Sequence, residues 1–440
     1  MLQNRRVSLV VAIVVALIGA FVINAGVRRL DARERLLVWC SYVAHLVSSA
    51  GQVALVLYYY GGGDSMGYQR AGRQLSGLLD RDFGRYAPEI LSLTLGSGNI
   101  RLPTTSTFMA GSSTGSMMGL SGWVQYILGD HLLASSVLFG VASLLGKLAL
   151  YHAFRARMPM ALARPALFGC LLVPSVVFWS CGVLKESVAM AALGPTVFGL
   201  VLVLERRPVQ GALLVITGSF VIFLIKPYIL VALAGAGALW LVSSRAAKRR
   251  RALRGRDMIL GAGAAVVGVL LIGELVPQFA VGNLGSALDR LQSVGERTHG
   301  GSNFSLGGAD ATLLGQMALA PIALLTSLFR PFPFETGGSP LVALGALETL
   351  VLSWFFFRGL SRNGVQRCVR YSLSNPELLF AATFVLLFGV AVGLASSNFG
   401  TLARYRIPML PFFVFMVLSF NRPELGVQEG VPDTGQSLPS

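Results

Sequence analysis

Long apolar runs alternate with short polar connectors along most of this chain. Eleven of the runs come close to the length of about 20 residues at which an α-helix crosses a bilayer. Their positions are 7–27, 36–60, 132–153, 165–180, 184–204, 209–225, 228–244, 257–276, 339–357, 376–396 and 405–421. The pattern predicts an all-α, polytopic integral membrane protein with about eleven transmembrane helices, in a range of ten to thirteen.

The predicted number of spans is a range because two shorter apolar segments need not cross the membrane. The segment 117–129 contains Gly119 and Gly122 and ends at a Gly129-Asp130 break, so we expect a partial helix that lies in the interface or re-enters the membrane. The segment 313–329 could also be interfacial or re-entrant, or it could span a thin membrane.

Lysine and arginine concentrate in the connectors between the spans. The basic connectors are 28–35, 155–164, 206–207, 245–256 and 358–370. Because basic loops remain on the cytoplasmic side, the segments 61–131, 277–338 and 397–404 are predicted to lie together on the outer face. This distribution accounts for the net charge of +16 without a separate basic domain, so no nucleic acid partner is expected.

The chain is predicted to divide into three parts. Residues 1–35 form an extra N-terminal span with its basic connector. Residues 36–421 form the membrane domain, with two long outer loops at 61–131 and 277–338. Residues 422–440 form a polar cytoplasmic tail that we expect to be disordered.

Cysteine and histidine do not follow the spacing of a metal or redox site. The four cysteines, Cys40, Cys170, Cys181 and Cys368, form no CxxC pair, and the four histidines are scattered. We therefore expect no metal site built from these residue types.

The stretch 61–68 interrupts the apolar pattern with glycines, an aspartate and a tyrosine. Asp64 lies there in a predicted loop at the membrane surface, and 68–79 has the spacing of a short amphipathic helix suited to the interface. A carboxylate in this position can accept a proton from the hydroxyl group of a substrate. The alternative is that Asp64 only caps the N-terminus of a helix over 65–79.

Further charged residues lie at the predicted outer ends of the spans. They are Lys185, Glu186, Lys226, Arg330, Glu335, Arg404 and Arg406. Arginine holds phosphate oxygens through two parallel hydrogen bonds and lysine adds a point charge, so such a set around a carboxylate suits a phosphate-linked donor beside a general base. Each residue also has a plainer interpretation as a lipid-headgroup anchor, a turn residue or an exposed loop charge.

Four short motifs carry a resemblance to known proteins. They are GDSMGY at 63–68, FWSCGVLKE at 178–186, RPFPFE at 330–335 and RYRIP at 404–408. These motifs are similar to those of bacterial membrane proteins that are grouped with membrane glycosyltransferases or with polysaccharide biosynthesis. The layout of the chain, a span that leads into an acidic first outer loop and juxtamembrane helices, with a second acid near a later outer turn, resembles the GT-C class of membrane glycosyltransferases. The likeness covers most of 36–421, whereas the extra first span and the lack of a second acid beside Asp64 depart from the class.

The resemblance implies a GT-C-like fold with juxtamembrane helices in both outer loops. It also implies a place in the bacterial inner membrane, with the active site facing the periplasm or exterior. The reaction would move a sugar from a polyprenyl-phosphate-linked donor, surrounded by membrane lipids, to a lipid-linked glycan or cell-envelope polysaccharide.

The resemblance also assigns roles to residues. Asp64 takes the place of the catalytic base and Glu186 that of the second acid. If a divalent cation such as Mg²⁺ or Mn²⁺ takes part, these two carboxylates and the donor phosphate would hold it. The residues expected to bind the donor phosphate are Lys185, Lys226, Arg330, Arg404 and Arg406. The residues expected to line the site are Tyr68, Tyr228, Glu335 and Tyr405.

Two other functions remain open at this point. A Wzy-type polymerase of O-antigen or exopolysaccharide also has large outer loops with functional arginines, and it would not need Asp64. A transporter or flippase of a lipid-linked solute would place its cations at a midplane cavity lined by broken helices. The charges lie mostly at span ends, which argues against the transporter.

Overall fold

The computed structural model of the protein describes residues 2–98, 100, 112–158, 160–248, 255–275, 283, 285, 303–307 and 312–422. Over this part of the chain the secondary structure is helical and contains no strand, apart from an isolated antiparallel bridge between Asn303 and Asn398. The predicted all-α class is therefore confirmed. Nearly all of the predicted tail and most of 277–311 lie outside the described residues.

The helices of the N-terminal half alternate between long apolar spans and shorter polar pieces. They are α1 (Leu2–Val27), α2 (Ala32–Ala54, continued by a π-helical turn at Leu55–Tyr59), α3 (Asp64–Arg81), α4 (Phe83–Thr94), α5 (Ser113–Leu128), α6 (Leu132–Arg155), α7 (Met160–Leu171), α8 (Pro174–Trp179), α9 (Lys185–Leu204), α10 (Pro208–Ile225), α11 (Tyr228–Lys248) and α12 (Gly255–Leu275).

The C-terminal part has the same character. Its helices are α13 (Leu313–Ala318), α14 (Ala320–Phe329), α15 (Pro340–Asn363), α16 (Val365–Ser374), α17 (Pro376–Leu394), α18 (Phe399–Tyr405) and α19 (Leu410–Phe420), with a 3-10 turn at Pro333–Glu335.

Eight helices of the described chain are long and apolar enough to cross a membrane. They are α1 from Val7 onward, α2 with its π-helical end, α6, α9, α10, α11, α15 and α17. The pair α18–α19 is bent by 77° and would make a ninth span if both helices belong to one crossing. Each of the eight coincides with a predicted span, but the predicted count of about eleven is not confirmed.

Three predicted spans account for the difference. The span predicted at 165–180 is divided into α7 and α8, because Pro174 begins a new helix and cannot continue the one before it. The span predicted at 405–421 contains the bend between α18 and α19. The span predicted at 257–276 coincides with α12, only some of whose side chains are described, and it is not among the eight.

The two short apolar segments form helices that are too short to cross a bilayer. Segment 117–129 lies within α5, which has 16 residues. Segment 313–329 is divided between α13, with 6 residues, and α14, with 10 residues. A span needs about 20 residues, so both agree with the interfacial or re-entrant interpretation.

The segment around Asp64 differs from the sequence interpretation. Helix α3 begins at Asp64, directly after Gly63 with a φ angle of 104°, a conformation that glycine adopts readily. Asp64 therefore lies in the first turn of a helix and not in a loop. Gly63 occupies the N-cap position and no side chain caps the helix, so the capping alternative for Asp64 is not supported.

Glycines allow the spans α6 and α9 to lie in direct contact. A Cβ atom on Gly194 would lie 1.7 Å from the carbonyl oxygen of Gly146. A Cβ atom on Gly146 would lie 2.2 Å from the carbonyl oxygen of Met190. Such close approach of two backbones is how small residues stabilise helix pairs in a membrane. The contact holds α9, which carries Lys185 and Glu186 in its first turn, against the centre of the domain.

Helices α3, α4 and α5 form a smaller layer within the first predicted outer loop. A Cβ atom on Gly72 of α3 would clash with Ser121 of α5, and one on Gly122 would clash with Leu75. The side-chain amide of Gln125 donates a hydrogen bond of 2.8 Å to a backbone carbonyl of α3. The predicted amphipathic helix is thus part of α3, and its buried face packs on α5.

Candidate functional site

Four charged side chains from distant parts of the chain meet at one end of the helical domain. Arg404 Nη2 lies 2.8 Å from Asp64 Oδ2 and 3.4 Å from Glu186 Oε2. Lys226 Nζ lies 2.9 Å from Glu186 Oε1. We call these four residues, together with Lys185, the charged cluster.

The ends of helices place the members of the charged cluster. Asp64 and Glu186 lie in the first turns of α3 and α9, where the partial positive charge of the helix end favours a carboxylate. Arg404 lies in the last turn of α18, where the helix end favours a cation. Lys226 follows the last residue of α10, which ends there because Pro227 cannot continue the helix.

The side chains of the charged cluster differ in how much of each is exposed to solvent. The side chains of Glu186 and Lys226 are 1% and 3% exposed, so this ion pair is enclosed by protein. The side chain of Arg404 is 24% exposed and that of Asp64 is 51% exposed. Asp64 is therefore the carboxylate that a substrate can reach, and Arg404 joins it to the buried pair.

Arg404 keeps hydrogen-bonding capacity beyond these contacts. Its Nε atom is buried and has no hydrogen-bond partner among the described residues. Guanidinium groups carry five N–H donors in a flat fork that matches carboxylate and phosphate oxygens. A rearrangement of this side chain would let it hold an anion while remaining close to Glu186.

Lys185 extends the charged cluster towards α5. Its Nζ atom donates hydrogen bonds to the Ser113 hydroxyl at 2.9 Å and to the Thr114 hydroxyl at 3.0 Å. No carboxylate of the described residues lies within 4.0 Å of Lys185 Nζ, so its positive charge is held by neutral hydroxyls. With three cations and two carboxylates, the cluster has a formal charge of +1.

Three predicted tyrosines surround the charged cluster. Lys226 Nζ lies 4.9 Å from the ring centre of Tyr405 and 5.9 Å from that of Tyr228. These rings stabilise a buried ammonium group through their quadrupoles. Burial, together with the negative charges of Asp64 and Glu186, raises the pKa of Tyr68 well above its ordinary value, so its hydroxyl remains protonated.

The other three predicted site residues have partners of their own. Arg330 donates hydrogen bonds from Nε and from Nη2 to the Glu335 carboxylate. Its guanidinium lies over the rings of Phe304 and Phe399, at 4.6 Å and 5.2 Å from the ring centres. Arg406 is 1% exposed and donates a hydrogen bond of 3.0 Å to the backbone carbonyl of Arg330. The structure thus joins eight of the eleven predicted site residues and places Arg330, Glu335 and Arg406 in a neighbouring group.

Sequence reasoning missed two features, one beside the charged cluster and one away from it. The hydroxyls of Ser113 and Thr114 were not singled out, although serine and threonine just before the apolar segment 117–129 are a common signal for a helix start. Lys147 was also missed, although it is a lone basic residue inside an apolar span.

The described residues contain no group of three or more His, Cys, Asp or Glu side chains arranged to hold a metal ion. Asp64 and Glu186 share Arg404 between them, so a cation bound by both carboxylates would have to displace that guanidinium. Comparison of the chain with protein-family models, with curated proteins and with solved structures finds no match.

Proposed function

We propose that the protein is a membrane glycosyltransferase of the GT-C type. It would move a sugar from a polyprenyl-phosphate-linked donor to a lipid-linked glycan or cell-envelope polysaccharide, at the outer face of a bacterial inner membrane. The observation that supports this most is the contact of Arg404 with both Asp64 and Glu186. It brings a cation suited to phosphate and an accessible carboxylate to one point.

In the proposed reaction the donor phosphate replaces Asp64 as the partner of Arg404, and Asp64 becomes free to act as a base. The oxygen of the acceptor hydroxyl attacks the anomeric carbon of the donor sugar, and the bond from that carbon to the phosphate oxygen breaks. The phosphate leaves with the bonding electron pair, and Asp64 takes the hydroxyl proton. Arg404 and Lys185 stabilise the charge that develops on the phosphate.

The buried pair of Glu186 and Lys226 has a different part in this proposal. Both oxygens of Glu186 already contact cations, and its side chain is 1% exposed. It therefore suits the positioning of Arg404 better than direct contact with the acceptor. Lys226 balances the charge of Glu186, and this lets the guanidinium turn towards phosphate without leaving a bare carboxylate behind.

The test is the substitution Asp64→Asn, which keeps the shape of the side chain and removes the base. We expect transfer of labelled sugar from polyprenyl-phosphate donors in membrane vesicles to fall by about 100-fold or more, the range for a lost general base. The matched control is Asp130→Asn. Asp130 belongs to the same predicted outer loop, has a side chain that is 36% exposed and also pairs with an arginine, Arg73.

Full transfer by Asp64→Asn would contradict the proposal and favour the polymerase, which relies on arginine instead. A transporter has one observation in its favour, the 77° bend between α18 and α19 directly after Arg404. It predicts movement of a lipid-linked solute into proteoliposomes with no sugar transferred. Such a result would replace the transferase.

A further inference from the structure

A second polar group lies inside the membrane domain, away from the charged cluster. Lys147 in the middle of α6, His45 of α2 and Ser180 at the end of α8 are each 0% exposed. Lys147 Nζ lies 2.6 Å from His45 Nε2 and 2.6 Å from Ser180 Oγ. No carboxylate of the described chain lies within 4.0 Å of Lys147 Nζ, so this amine has only neutral groups as partners.

The hydrogen bonds of His45 indicate which nitrogen of its ring carries a hydrogen in the pair that it forms with Lys147. His45 Nδ1 lies 2.6 Å from the backbone carbonyl oxygen of Ser41, which can only accept, so Nδ1 carries a hydrogen. The lone pair of Nε2 therefore faces Lys147 and accepts from its amine. Two protonated groups cannot face each other at 2.6 Å, so the pair holds at most one extra proton.

A lysine in this position is costly, because a charged or unpaired polar group loses its hydration in an apolar interior. The thiols of Cys170 and Cys181 are the other titratable groups beside it. The cost is offset only by the hydrogen bonds that the amine makes to α2 and to the end of α8. Lys147 thus ties three separate helices together at one atom.

The contact between Lys147 and Ser180 leads along the chain to the charged cluster. Ser180 is the residue that ends α8, and only the short turn 181–184 separates it from Lys185 and Glu186. The turn passes through Gly182, which has a φ angle of 87°. The Ser187 hydroxyl donates a hydrogen bond of 2.8 Å to the Gly182 carbonyl, so the turn is fastened to α9 at its other end.

We propose that Lys147 is a positioning residue that, through Ser180, fixes the turn 181–184 and thereby the side chains of Lys185 and Glu186. His45 holds the amine in the direction of Ser180. The consequence for sugar transfer rests on the proposed function, whereas the consequence for the turn does not. A change at Lys147 should loosen the turn without unfolding the rest of the domain.

Cys181 lies in this turn and provides a direct readout. Its thiol is 0% exposed and donates to the Val177 carbonyl at 3.1 Å. In a chain whose other three cysteines are replaced by alanine, the rate of Cys181 labelling by a water-soluble maleimide in detergent-solubilised protein, where both faces are accessible, reports opening of the turn. We expect Lys147→Met to raise that rate about tenfold or more, as the loss of a hydrogen bond to a charged group shifts a local opening equilibrium.

Two comparisons separate positioning from a general loss of stability. Cys368, which is 1% exposed on α16, serves as the sole cysteine in a second background and should keep its labelling rate. Ser143→Ala is the matched control on α6, because the Ser143 hydroxyl has no hydrogen-bond partner among the described residues. It should leave both rates unchanged, and Ser180→Ala should reproduce the effect of Lys147→Met.

An unchanged Cys181 rate in Lys147→Met would overturn the proposal. An equal rise at Cys181 and Cys368 would also overturn it, because Lys147 would then support the whole fold and not this turn. A rise at Cys181 alone supports it, even if the wild-type protein transfers no sugar. The failure of the transferase proposal can thus be told apart from the failure of this one.

Discussion

The buried ion pair between Lys226 and Glu186 leads to a stability prediction that does not depend on the reaction. Lys226→Met removes the cation and keeps an unbranched chain of similar length. Glu186→Gln removes the negative charge and keeps the shape. Each single variant leaves one charge enclosed by protein, because both side chains are no more than 3% exposed.

The contacts around each partner determine the size of each effect. Removing one member of a buried pair costs about 3–5 kcal/mol of unfolding free energy, most of it the penalty of the remaining bare charge. After Lys226→Met, Glu186 still has Arg404 at 3.4 Å. After Glu186→Gln, Lys226 keeps an uncharged amide oxygen and the rings of Tyr405 and Tyr228, at 4.9 Å and 5.9 Å, in place of its carboxylate partner. We therefore expect Lys226→Met near the lower value and Glu186→Gln near the upper value.

The double variant Lys226→Met/Glu186→Gln has neither charge, so it should be less destabilised than the sum of the two singles, with a coupling of about 2 kcal/mol or more. Equilibrium unfolding in mixed micelles of a mild detergent and dodecyl sulfate would be followed by the fluorescence of the five tryptophans. Arg73→Met is the control, since the pair of Arg73 and Asp130 has side chains that are 63% and 36% exposed. It should cost less than about 1 kcal/mol.

Additive effects would refute this reasoning. If the double variant loses the sum of the two single losses to within about 0.5 kcal/mol, the two charges do not stabilise each other. The reversed order, with Lys226→Met worse than Glu186→Gln, would refute the part assigned to Arg404.

Two further predictions concern packing and pH. Gly194→Ala should lower the unfolding free energy by about 1–3 kcal/mol, because its Cβ would lie 1.7 Å from the Gly146 carbonyl oxygen. Gly345→Ala, whose Cβ meets nothing within 4 Å, should be neutral or slightly stabilising in the same assay. Burial alone would raise the pKa of Glu335, but hydrogen bonds from Arg330 and from a backbone amide outweigh it and hold that pKa below its ordinary value of 4.5. Because its pKa is lower in the folded state, ionised Glu335 stabilises the fold above pH 4.5, and this contribution is lost as the pH falls through the folded-state pKa. The stability difference between wild type and Glu335→Gln should therefore shrink only in that acidic range. A difference that does not change with pH would mean that Glu335 is not ionised in its pair with Arg330.

Local sequence predicted the parts of the fold that depend on local properties. The eight helices long enough to span were all predicted, because a span requires only about 20 apolar residues that satisfy their own backbone hydrogen bonds. The breaks were not predicted. A proline lies at each break, Pro174 at the start of α8 and Pro408 just before α19, but only the structure shows that the chain starts a new helix there and does not continue through a kink.

The sequence predicted which types of residue form the candidate site, but not which of them contact each other. Asp64 and Arg404 are separated by 340 positions, and no periodicity in the sequence relates them. Arg404 and Arg406 have the same chemistry and nearly the same place in the chain. Arg404, in the last turn of α18, contacts Asp64, whereas Arg406 directly after α18 is buried against a backbone carbonyl; tertiary packing makes this difference, so the sequence could not tell the two arginines apart.

The sequence by itself determined an all-α membrane protein with most of its charges at span ends, because an uncompensated charge in hydrocarbon is too costly to leave anywhere else. Only the tertiary structure decided which charges meet, since that depends on how distant helices pack and where they break. Lys147 shows the difference. In the sequence it is a single cation inside an apolar run, and its partner His45 lies 102 positions away, so only the packing of α2 against α6 explains how a lysine is tolerated there.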